Sequence, residues 1–359
     1  MKTNYLFSFI AMASLSACSA QVTTSPAEEL LSRLEKEVAE GTIMYGHQDD
    51  LMYGHSWKTE GGEYTQSDIR DVCGMYPAVY GLDLGGIETG DVDNLDGNPF
   101  AQMRESAIAH YLRGGVVTFS WHPRNPLTGG DAWDVSSREV VASVLEGGEK
   151  HGMFMEWLSR AADYLETFKT ADGKPVPMIF RPWHEHTGSW FWWGRNLCTA
   201  GQYIQLWAMT YDYLTKERKL DNLVWAYSPG AGGITQELYM ERWPGDDMVE
   251  ILGVDCYQYG TSEQFTADLK YSLDIMQKVA AEHGKIIAVT ETGYEGIPDA
   301  AWWTETLLPA LSDYPVAYVL TWRNAWDKPG HFYAPFPGQE SAGDFKKFAE
   351  SGKITMLQR

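Results

Sequence analysis

Cysteine and basic residues are both scarce in this sequence of 359 residues, and each shortage narrows the possible functions. The four cysteines form no C-x-x-C pair, which argues against a zinc or redox site of that kind. Lysine and arginine number 28 against 49 aspartates and glutamates, which gives a formal net charge of -21. This charge argues against binding nucleic acid or, through charge, an anionic membrane, and it suits a neutral ligand.

Linkers and repeats are also missing, so one folded domain is expected. No proline-rich or serine-rich segment divides the chain, and no internal repeat is evident. Apolar residues make up 44% of the sequence and charged residues 21%, which is enough to bury a full core. Aromatic residues are abundant, with 15 tryptophans and 20 tyrosines. We expect about half of the tryptophans to fill the core and others to stack on sugar rings.

The first 17 residues resemble a targeting segment. Lys2 supplies a positive start, residues 6–13 an apolar run, and residues 15–18 (LSAC) a bacterial lipoprotein box. We expect cleavage before Cys18, lipidation of that cysteine, and a flexible tether over residues 18–25. The protein would then be exported and held by its lipid in the periplasm or at the outer membrane. An ordinary secretory signal, cut nearby, is the alternative.

The number of cysteines limits their pairing. With Cys18 assigned to the lipid, Cys73, Cys198 and Cys256 remain, and three cysteines cannot all pair. We therefore expect one disulfide or none.

Strand-like and helix-like segments alternate along the chain. A helix begins at Pro26, after a capping box opened by Ser25, and ends at Gly41. Apolar strand candidates follow at residues 42–46, 78–83, 116–121, 177–181, 223–227, 250–256, 285–291 and 316–322, and helix-like runs include 100–113, 149–168, 200–219, 263–283 and 300–312. This alternation predicts an α/β fold, a single (β/α)8 TIM barrel over residues 26–359. A doubly wound sheet would need a glycine fingerprint after its first strand, which is missing.

Two glutamates occur where a predicted strand gives way to a loop. Glu185 lies in the stretch RPWHEHTGSWFWWG (181–194), and Glu291 ends the strand at 285–291. Two carboxyl groups at one barrel mouth are the groups that glycoside hydrolysis requires. The exits of strands four and seven face each other across a barrel, so the two side chains could meet. Neighbouring aromatic rings such as Trp190 would raise the pKa of Glu185.

Polar and aromatic side chains also follow other predicted strands. They occur at residues 46–48, 121–122, 257–259 and 322–326, and at Asp83. In a TIM barrel the strand exits form the catalytic face. Together with the exits that carry Glu185 and Glu291, the sequence therefore predicts one active site formed by several strand exits.

Three of these motifs resemble glycoside hydrolase family 26: residues 181–185 (RPWHE), 189–190 (SW) and 290–293 (TETG). The resemblance extends over nearly the whole mature chain. It implies a (β/α)8 barrel with a retaining mechanism, most often an endo-acting β-mannanase. The substrates so implied are β-1,4-mannan, as in galactomannan and glucomannan, and manno-oligosaccharides. By this likeness Glu185 is the acid/base and Glu291 the nucleophile.

The resemblance also implies a set of substrate-binding residues. These are His122, His184, Trp190, Tyr257, Trp322 and Arg323. Many barrels of this clan have asparagine before the acid/base, whereas this chain has histidine, which is usual in family 26 and weighs against a generic cellulase or xylanase. Tyr257, if it reaches Glu291, would stabilise the charged carboxylate by a hydrogen bond. We expect a monomer without a cofactor or metal.

Other functions remain possible from the sequence. A β-1,3-xylanase or a mixed-linkage β-glucanase would fit the same family. A non-catalytic glycan-binding lipoprotein is a different class, against which the two intact glutamates argue. His184 and His186 have the H-x-H spacing of some metal hydrolases, but the further ligand motif of such sites is not evident.

Three local features have two interpretations each. Residues 90–97 alternate acids loosely like a calcium loop but lack its terminal glutamate, so a solvated turn is expected. Trp192 and Trp193 could belong to the core or to a substrate platform. Arg181 ends a strand, where we expect it to bond other strand-end carboxylates rather than substrate.

Overall fold

The computed structural model describes residues 24–358, in which helices surround a closed barrel of parallel strands. Within these residues the eight barrel strands are β1 (Ile43–Gln48), β2 (Val79–Asp83), β3 (Val116–Trp121), β4 (Met178–Pro182), β5 (Leu223–Tyr227), β6 (Ile251–Gln258), β7 (Ile286–Tyr294) and β8 (Val316–Thr321). Each strand pairs in parallel with the next. Met44 of β1 pairs with Tyr318 of β8, which closes the barrel. The predicted (β/α)8 TIM barrel is confirmed.

The barrel strands are buried on both faces, because one face fills the barrel and the other packs under the helices. Every residue of β1 and of β3 is buried. Such continuous apolar runs are the reason that the predicted strands agree with the observed ones to within three residues at each end. The predicted signal segment and Cys18 lie outside the described residues.

The helices occupy the segments between the strands. They are α1 (Pro26–Glu40), α2 (Asp68–Cys73), α3 (Phe100–Leu112), α4 (Val140–Val144), α5 (His151–Leu165), α6 (Ala200–Tyr211), α7 (Gln236–Met240), α8 (Ser262–His283), α9 (Leu308–Leu311) and α10 (Ala342–Ala349). The π-helical turn Asp212–Glu217 continues α6, and Trp303–Leu307 precedes α9. Single 3₁₀ turns cover Ile87–Thr89 and Asp246–Met248. As predicted, α1 begins at a capping box and ends at Gly41, whose φ of 72° is left-handed.

Short strands lie outside the barrel. Ile354–Leu357 pairs in parallel with the start of β1 and antiparallel with Tyr76–Pro77, so it lies at the end of the barrel opposite to the strand exits. Tyr53–Gly54 pairs with Trp57–Lys58 after β1. The three cysteines of residues 24–358 are all free. In the same part of the chain, no helix combines the length and apolar character that crossing a membrane requires.

Candidate active site

Glu185 and Glu291 meet at the mouth of the barrel. Glu185 lies three residues beyond β4, whereas Glu291 lies inside β7, just after a shift in its register with β6. Such an irregularity re-aims the side chain that follows it. One carboxylate oxygen each from Glu185, Asp255 and Glu291 lie within 4.8 Å of one another. The predicted approach of the two glutamates is thus observed, and Asp255 of β6 joins them.

Arg181, in β4, compensates the negative charge of this cluster. Its Nη1 donates to Asp255 Oδ2 at 2.9 Å and to Ser228 Oγ at 3.1 Å, and its Nη2 donates to Glu291 Oε1. Burial opposes a charge on Arg181, but Asp255 and Glu291 outweigh burial and raise its pKa. The prediction that Arg181 bonds strand-end carboxylates is confirmed.

Tyr257 holds the second oxygen of Glu291. Its hydroxyl donates to Glu291 Oε2 at 2.7 Å, so the predicted contact is present. Because Arg181 and Tyr257 each donate to a different oxygen, both acceptors of Glu291 are satisfied in the ionised form. These two contacts fix the carboxylate in one orientation and stabilise its negative charge.

Glu185 has an environment that favours its protonated form. Burial, followed by the negative charge of Glu291, raises the pKa of Glu185 to about 7. The indole Nε1 of Trp190 donates to Glu185 Oε2 at 2.5 Å and partly opposes this rise. The Trp190 side chain is itself 46% exposed, so its ring also faces the cleft. The predicted rise in the pKa of Glu185 is present, but the contribution expected from Trp190 is wrong in sign, because its indole N–H stabilises the charged carboxylate.

A pair of histidines lies beside the carboxyl cluster. His122 Nδ1 is 2.6 Å from Asp83 Oδ2, and His122 Nε2 is 3.0 Å from His184 Nε2. Burial disfavours a charge on His122, but the Asp83 carboxylate raises its pKa. Burial, together with the charge of Arg181, lowers the pKa of His184. The two Nε2 atoms can share a hydrogen bond only if one of them carries a proton and the other does not, and the opposite pKa shifts favour the proton on His122.

The cleft above these groups has a volume of about 510 Å³. Its lining residues are His122, Trp133, His184, Glu185, Trp190, Phe191, Tyr257, Tyr259, Glu291, Trp322 and Tyr333. Every predicted site residue except Arg323 is among them. Sequence reasoning did not single out Trp133 or Tyr333, which lie in the long segments after β3 and β8. Trp133 is 47% exposed and stacks on His122 with 5.3 Å between ring centroids.

Arg323 does not line this cleft in the structure. Its Nη2 pairs with Asp96 Oδ1 at 3.1 Å, and its Nη1 donates to the Tyr53 hydroxyl at 3.1 Å. Asp96 is buried to 7% side-chain exposure, so the prediction that all of residues 90–97 form a solvated turn is wrong at Asp96. The buried ion pair with Arg323 is the reason.

Trp192 and Trp193 are core residues, which rules out the substrate-platform interpretation. Both are fully buried. Their indole nitrogens donate to the backbone carbonyls of Pro123, at 3.1 Å, and His184, at 2.8 Å. They thereby support the loop from beneath while Trp190 faces the cleft.

The histidines do not assemble a metal site. His186 is buried away from His184, with its Nε2 2.9 Å from the Tyr227 hydroxyl. Among residues 24–358, the one group of three potential metal ligands is Glu185, Asp255 and Glu291. The guanidinium of Arg181 already supplies a positive charge there.

Several known proteins are similar to this chain in sequence and in fold. Residues 19–333 match Glycosyl hydrolase family 26. The solved structure of a family 26 β-mannanase from Bacteroides ovatus is 50% identical, with a TM-score of 0.90 over 93% of this chain and 96% of that one. A mannan endo-1,4-β-mannosidase from Bifidobacterium adolescentis is 33% identical over 340 residues, which cover 86% of this chain but 33% of that protein. One from Bacillus subtilis is 29% identical over 274 residues, 72% of this chain and 69% of that protein.

The family match covers most of the chain, and the barrel and the paired glutamates stand where the sequence motifs predicted them. The chain spans about a third of the length of its Bifidobacterium relative. The chain belongs to glycosyl hydrolase family 26 and is a glycoside hydrolase.

Proposed function

We propose that the protein is a retaining endo-β-1,4-mannanase in which Glu185 is the acid/base and Glu291 the nucleophile. The supporting observation is that nearby oxygens of the two carboxyl groups lie within 4.8 Å. Retaining glycosidases separate these groups by about 5–5.5 Å, and inverting ones by about 6.5–9.5 Å to admit a water molecule. The short gap favours direct attack by Glu291 on the sugar.

In the first step, Glu291 attacks the anomeric carbon while Glu185 gives its proton to the departing glycosidic oxygen. The C–O bond to the leaving sugar breaks as the bond to the Glu291 carboxylate forms. Arg181 and Tyr257 each donate a hydrogen bond to one oxygen of Glu291 and hold its carboxylate in a fixed orientation for the attack. With a pKa of about 7, Glu185 is protonated in a large fraction of molecules at neutral pH.

In the second step, the deprotonated Glu185 takes a proton from a water molecule, which attacks the anomeric carbon from the side that the leaving sugar vacated. The bond to Glu291 breaks, and its carboxylate is regenerated. Two displacements on opposite faces restore the β-configuration. Glu185 is again protonated at the end of the cycle.

The proposed substrate is β-1,4-mannan, as galactomannan or glucomannan, and manno-oligosaccharides. Relatives named as mannanases and the aromatic lining of the cleft support this choice. The test is hydrolysis of mannan, β-1,3-xylan and mixed-linkage glucan, with product analysis and NMR of the first-formed reducing end. Mannan cleavage with an initial β-anomer is expected. An initial α-anomer would contradict retention, preference for another polysaccharide would contradict the substrate, and binding without cleavage would indicate a glycan-binding protein.

The protein is further proposed to be exported and anchored by a lipid on Cys18, in the periplasm or at the outer membrane. The residues 15–18 (LSAC) after an apolar run support this proposal. The first helix begins only at Pro26, so a lipid on Cys18 would be separated from the barrel by several residues.

A further inference from the structure

The loop that carries Glu185 is strained on both sides of His184. Trp183 has a φ of 54° and Glu185 a φ of 52°, both in the left-handed region that residues with a Cβ disfavour. Such conformations persist only where surrounding contacts impose them, and they concentrate at functional sites. The contacts that hold this loop therefore also place the carboxyl group of Glu185.

Two side-chain donors fix the strained segment from beneath. The Tyr203 hydroxyl, in α6, donates to the carbonyl of Trp183 at 2.8 Å. The indole of Trp193 donates to the carbonyl of His184 at 2.8 Å. Both peptide groups that precede Glu185 are thus held by buried donors.

Arg242, shortly after α7, holds the same loop through its later residues. Its Nη1 donates to the carbonyl of Trp193 at 3.1 Å, and its Nη2 donates to those of Arg195 and Cys198 at 2.9 and 2.7 Å. Its guanidinium carbon also lies 5.3 Å from the centre of the Tyr203 ring. One side chain therefore contacts both donors that hold the strained segment.

The surroundings of Arg242 are unusual for a buried cation. Its side chain is 2% exposed, yet within residues 24–358 no carboxylate forms an ion pair with it. Apart from the thiol of Cys198, its hydrogen bonds in this part of the chain go to carbonyls of the loop that carries the acid/base. A buried charge is costly unless hydrogen bonds compensate it. The buried guanidinium of Arg242 is therefore stable only while the loop keeps the shape that presents these carbonyls to it.

We propose that Arg242 is a positioning residue for the acid/base Glu185. Arg242 donates to the backbone carbonyl of Trp193 and packs on the ring of Tyr203. The side chains of Trp193 and Tyr203 in turn donate to the carbonyls of the strained peptides before Glu185. This inference rests on the proposed function, because it gives Arg242 a role in the step that needs the proton of Glu185. Glu291 is held instead by Arg181, inside β4, and by Tyr257, in β6, and neither residue is a hydrogen-bond partner of Arg242.

This division between the two glutamates makes the inference testable with two substrates. A manno-oligosaccharide releases a sugar alcohol that must be protonated by Glu185. A 2,4-dinitrophenyl mannobioside releases a phenolate that needs no proton. Arg242→Lys keeps the charge but loses the planar fork that reaches three carbonyls. We expect kcat/KM to fall about 100-fold on the oligosaccharide, as for a misplacement of about 1 Å, and less than about 3-fold on the dinitrophenyl substrate.

The same substitution in a Glu185→Ala background separates positioning from general damage. If Arg242 acts through Glu185, adding Arg242→Lys to Glu185→Ala changes neither substrate's kcat/KM by more than about 3-fold. Arg195→Met is the matched control, because Arg195 lies in the same loop but its side chain pairs with Glu241 at the surface at 3.4 Å. This control is expected to keep the activity of the unaltered protein on both substrates.

Three results would overturn the inference: equal loss on both substrates, a further large loss in the Glu185→Ala background, or a selective loss in Arg195→Met. If Arg242→Lys does not fold, as judged by circular dichroism, Tyr203→Phe provides the test. It removes the donor to the Trp183 carbonyl and is expected to lose about 10-fold on the oligosaccharide alone; equal loss on both substrates would contradict the inference. An unaltered protein that cleaves neither substrate would instead contradict the proposed function.

Discussion

At the residue scale, Glu185 and Glu291 are the same side chain in opposite surroundings. Glu291 accepts hydrogen bonds from Arg181 and Tyr257, one on each oxygen. Glu185 accepts one from Trp190 and faces the negative charge of Glu291. These differences orient one carboxylate and favour a proton on the other carboxyl, which is the pairing that the proposed double displacement requires.

The two glutamates are therefore expected to fail differently when each is replaced by alanine. Glu185→Ala should lose activity mainly on substrates whose poor leaving groups need a proton. On an activated aryl mannoside the variant should accumulate a covalent intermediate, because no base activates the water. Added azide, which needs no base, should then speed turnover. Glu291→Ala removes the attacking atom, so both substrate types should lose roughly 10⁴-fold or more in rate. Steady-state kinetics and intact-mass spectrometry measure these effects.

The opposite pattern would reverse the assignment of the two roles. If Glu291→Ala hydrolysed aryl mannosides well while Glu185→Ala did not, Glu185 would be the nucleophile. Unchanged activity in both variants would contradict the enzymatic function itself.

The pH dependence should follow the protonation of Glu185. Since the acid must carry a proton, kcat/KM should fall as the pH rises through about 7. Trp190→Phe removes a hydrogen bond that lowers the pKa of Glu185 while keeping a ring beside it. The alkaline limb of the pH profile should then move upward by roughly 0.5–1 pH unit, as a net loss of about 1 kcal/mol implies. A downward shift or no shift would contradict this account of Trp190.

Sequence reasoning found the site residues that stand directly at strand exits, such as Tyr257. It did not find Trp133 or Tyr333, because these come from long loops whose path no periodic pattern specifies. For the same reason, Trp192 and Trp193 remained ambiguous, although both are buried. Distances such as that between Arg323 and Asp96 depend on contacts between separate loops and could not be predicted either.

At the scale of elements, the eight strands were predictable because burial on both faces makes each one a continuous apolar run. The irregular elements were not. The π-helical turn Asp212–Glu217 at the end of α6 and the turn Trp303–Leu307 before α9 have the composition of ordinary helices. The register shift before Glu291 in β7 likewise depends on pairing with β6 rather than on local sequence.

The barrel interior beside the site depends on a small residue in β6. A Cβ added to Gly253 would lie 2.7 Å from Ser228 Cβ and 2.7 Å from Thr290 Cγ2. Gly253→Ala should therefore lower the free energy of unfolding by about 1–3 kcal/mol through overpacking. Because Ser228 and Thr290 both bond Asp255, activity should fall as well. Chemical denaturation and steady-state kinetics measure the two effects.

The matched control is Gly201→Ala in α6, where an added Cβ meets nothing within 4 Å. Alanine should stabilise this helical position by about 0.4–1 kcal/mol and leave catalysis unchanged. A Gly253→Ala protein as stable as the parent would show that the interior repacks without cost.

At the scale of the whole molecule, the tryptophan content reflects both packing and function. Eight of the fifteen tryptophans are fully buried, namely Trp121, Trp183, Trp192, Trp193, Trp207, Trp225, Trp302 and Trp303. This agrees with the expectation that about half fill the core. Others, such as Trp190, Trp133 and Trp322, line the cleft. Composition alone could not assign individual rings to the two groups, because exposure is decided by the path of each loop.

The whole enzyme is expected to be attached to the membrane through Cys18. Cys18 lies outside the described residues, and the first helix begins at Pro26, after the capping residue Ser25. A lipid on Cys18 would thus be attached several residues before the first helix. Cys18→Ala should move the protein from the membrane fraction to the soluble fraction, with kcat/KM on mannan unchanged. Fractionation, activity assays and mass spectrometry of the mature N-terminus measure these outcomes.

Cys73→Ala is the matched control, because it removes a free cysteine from α2 and should leave the protein in the membrane fraction. An unmodified N-terminus at another residue would contradict lipidation and favour an ordinary secretory signal. Retention of Cys18→Ala in the membrane fraction would mean that another part of the chain provides the attachment. Release together with a loss of activity would mean that the anchor contributes to the folded enzyme.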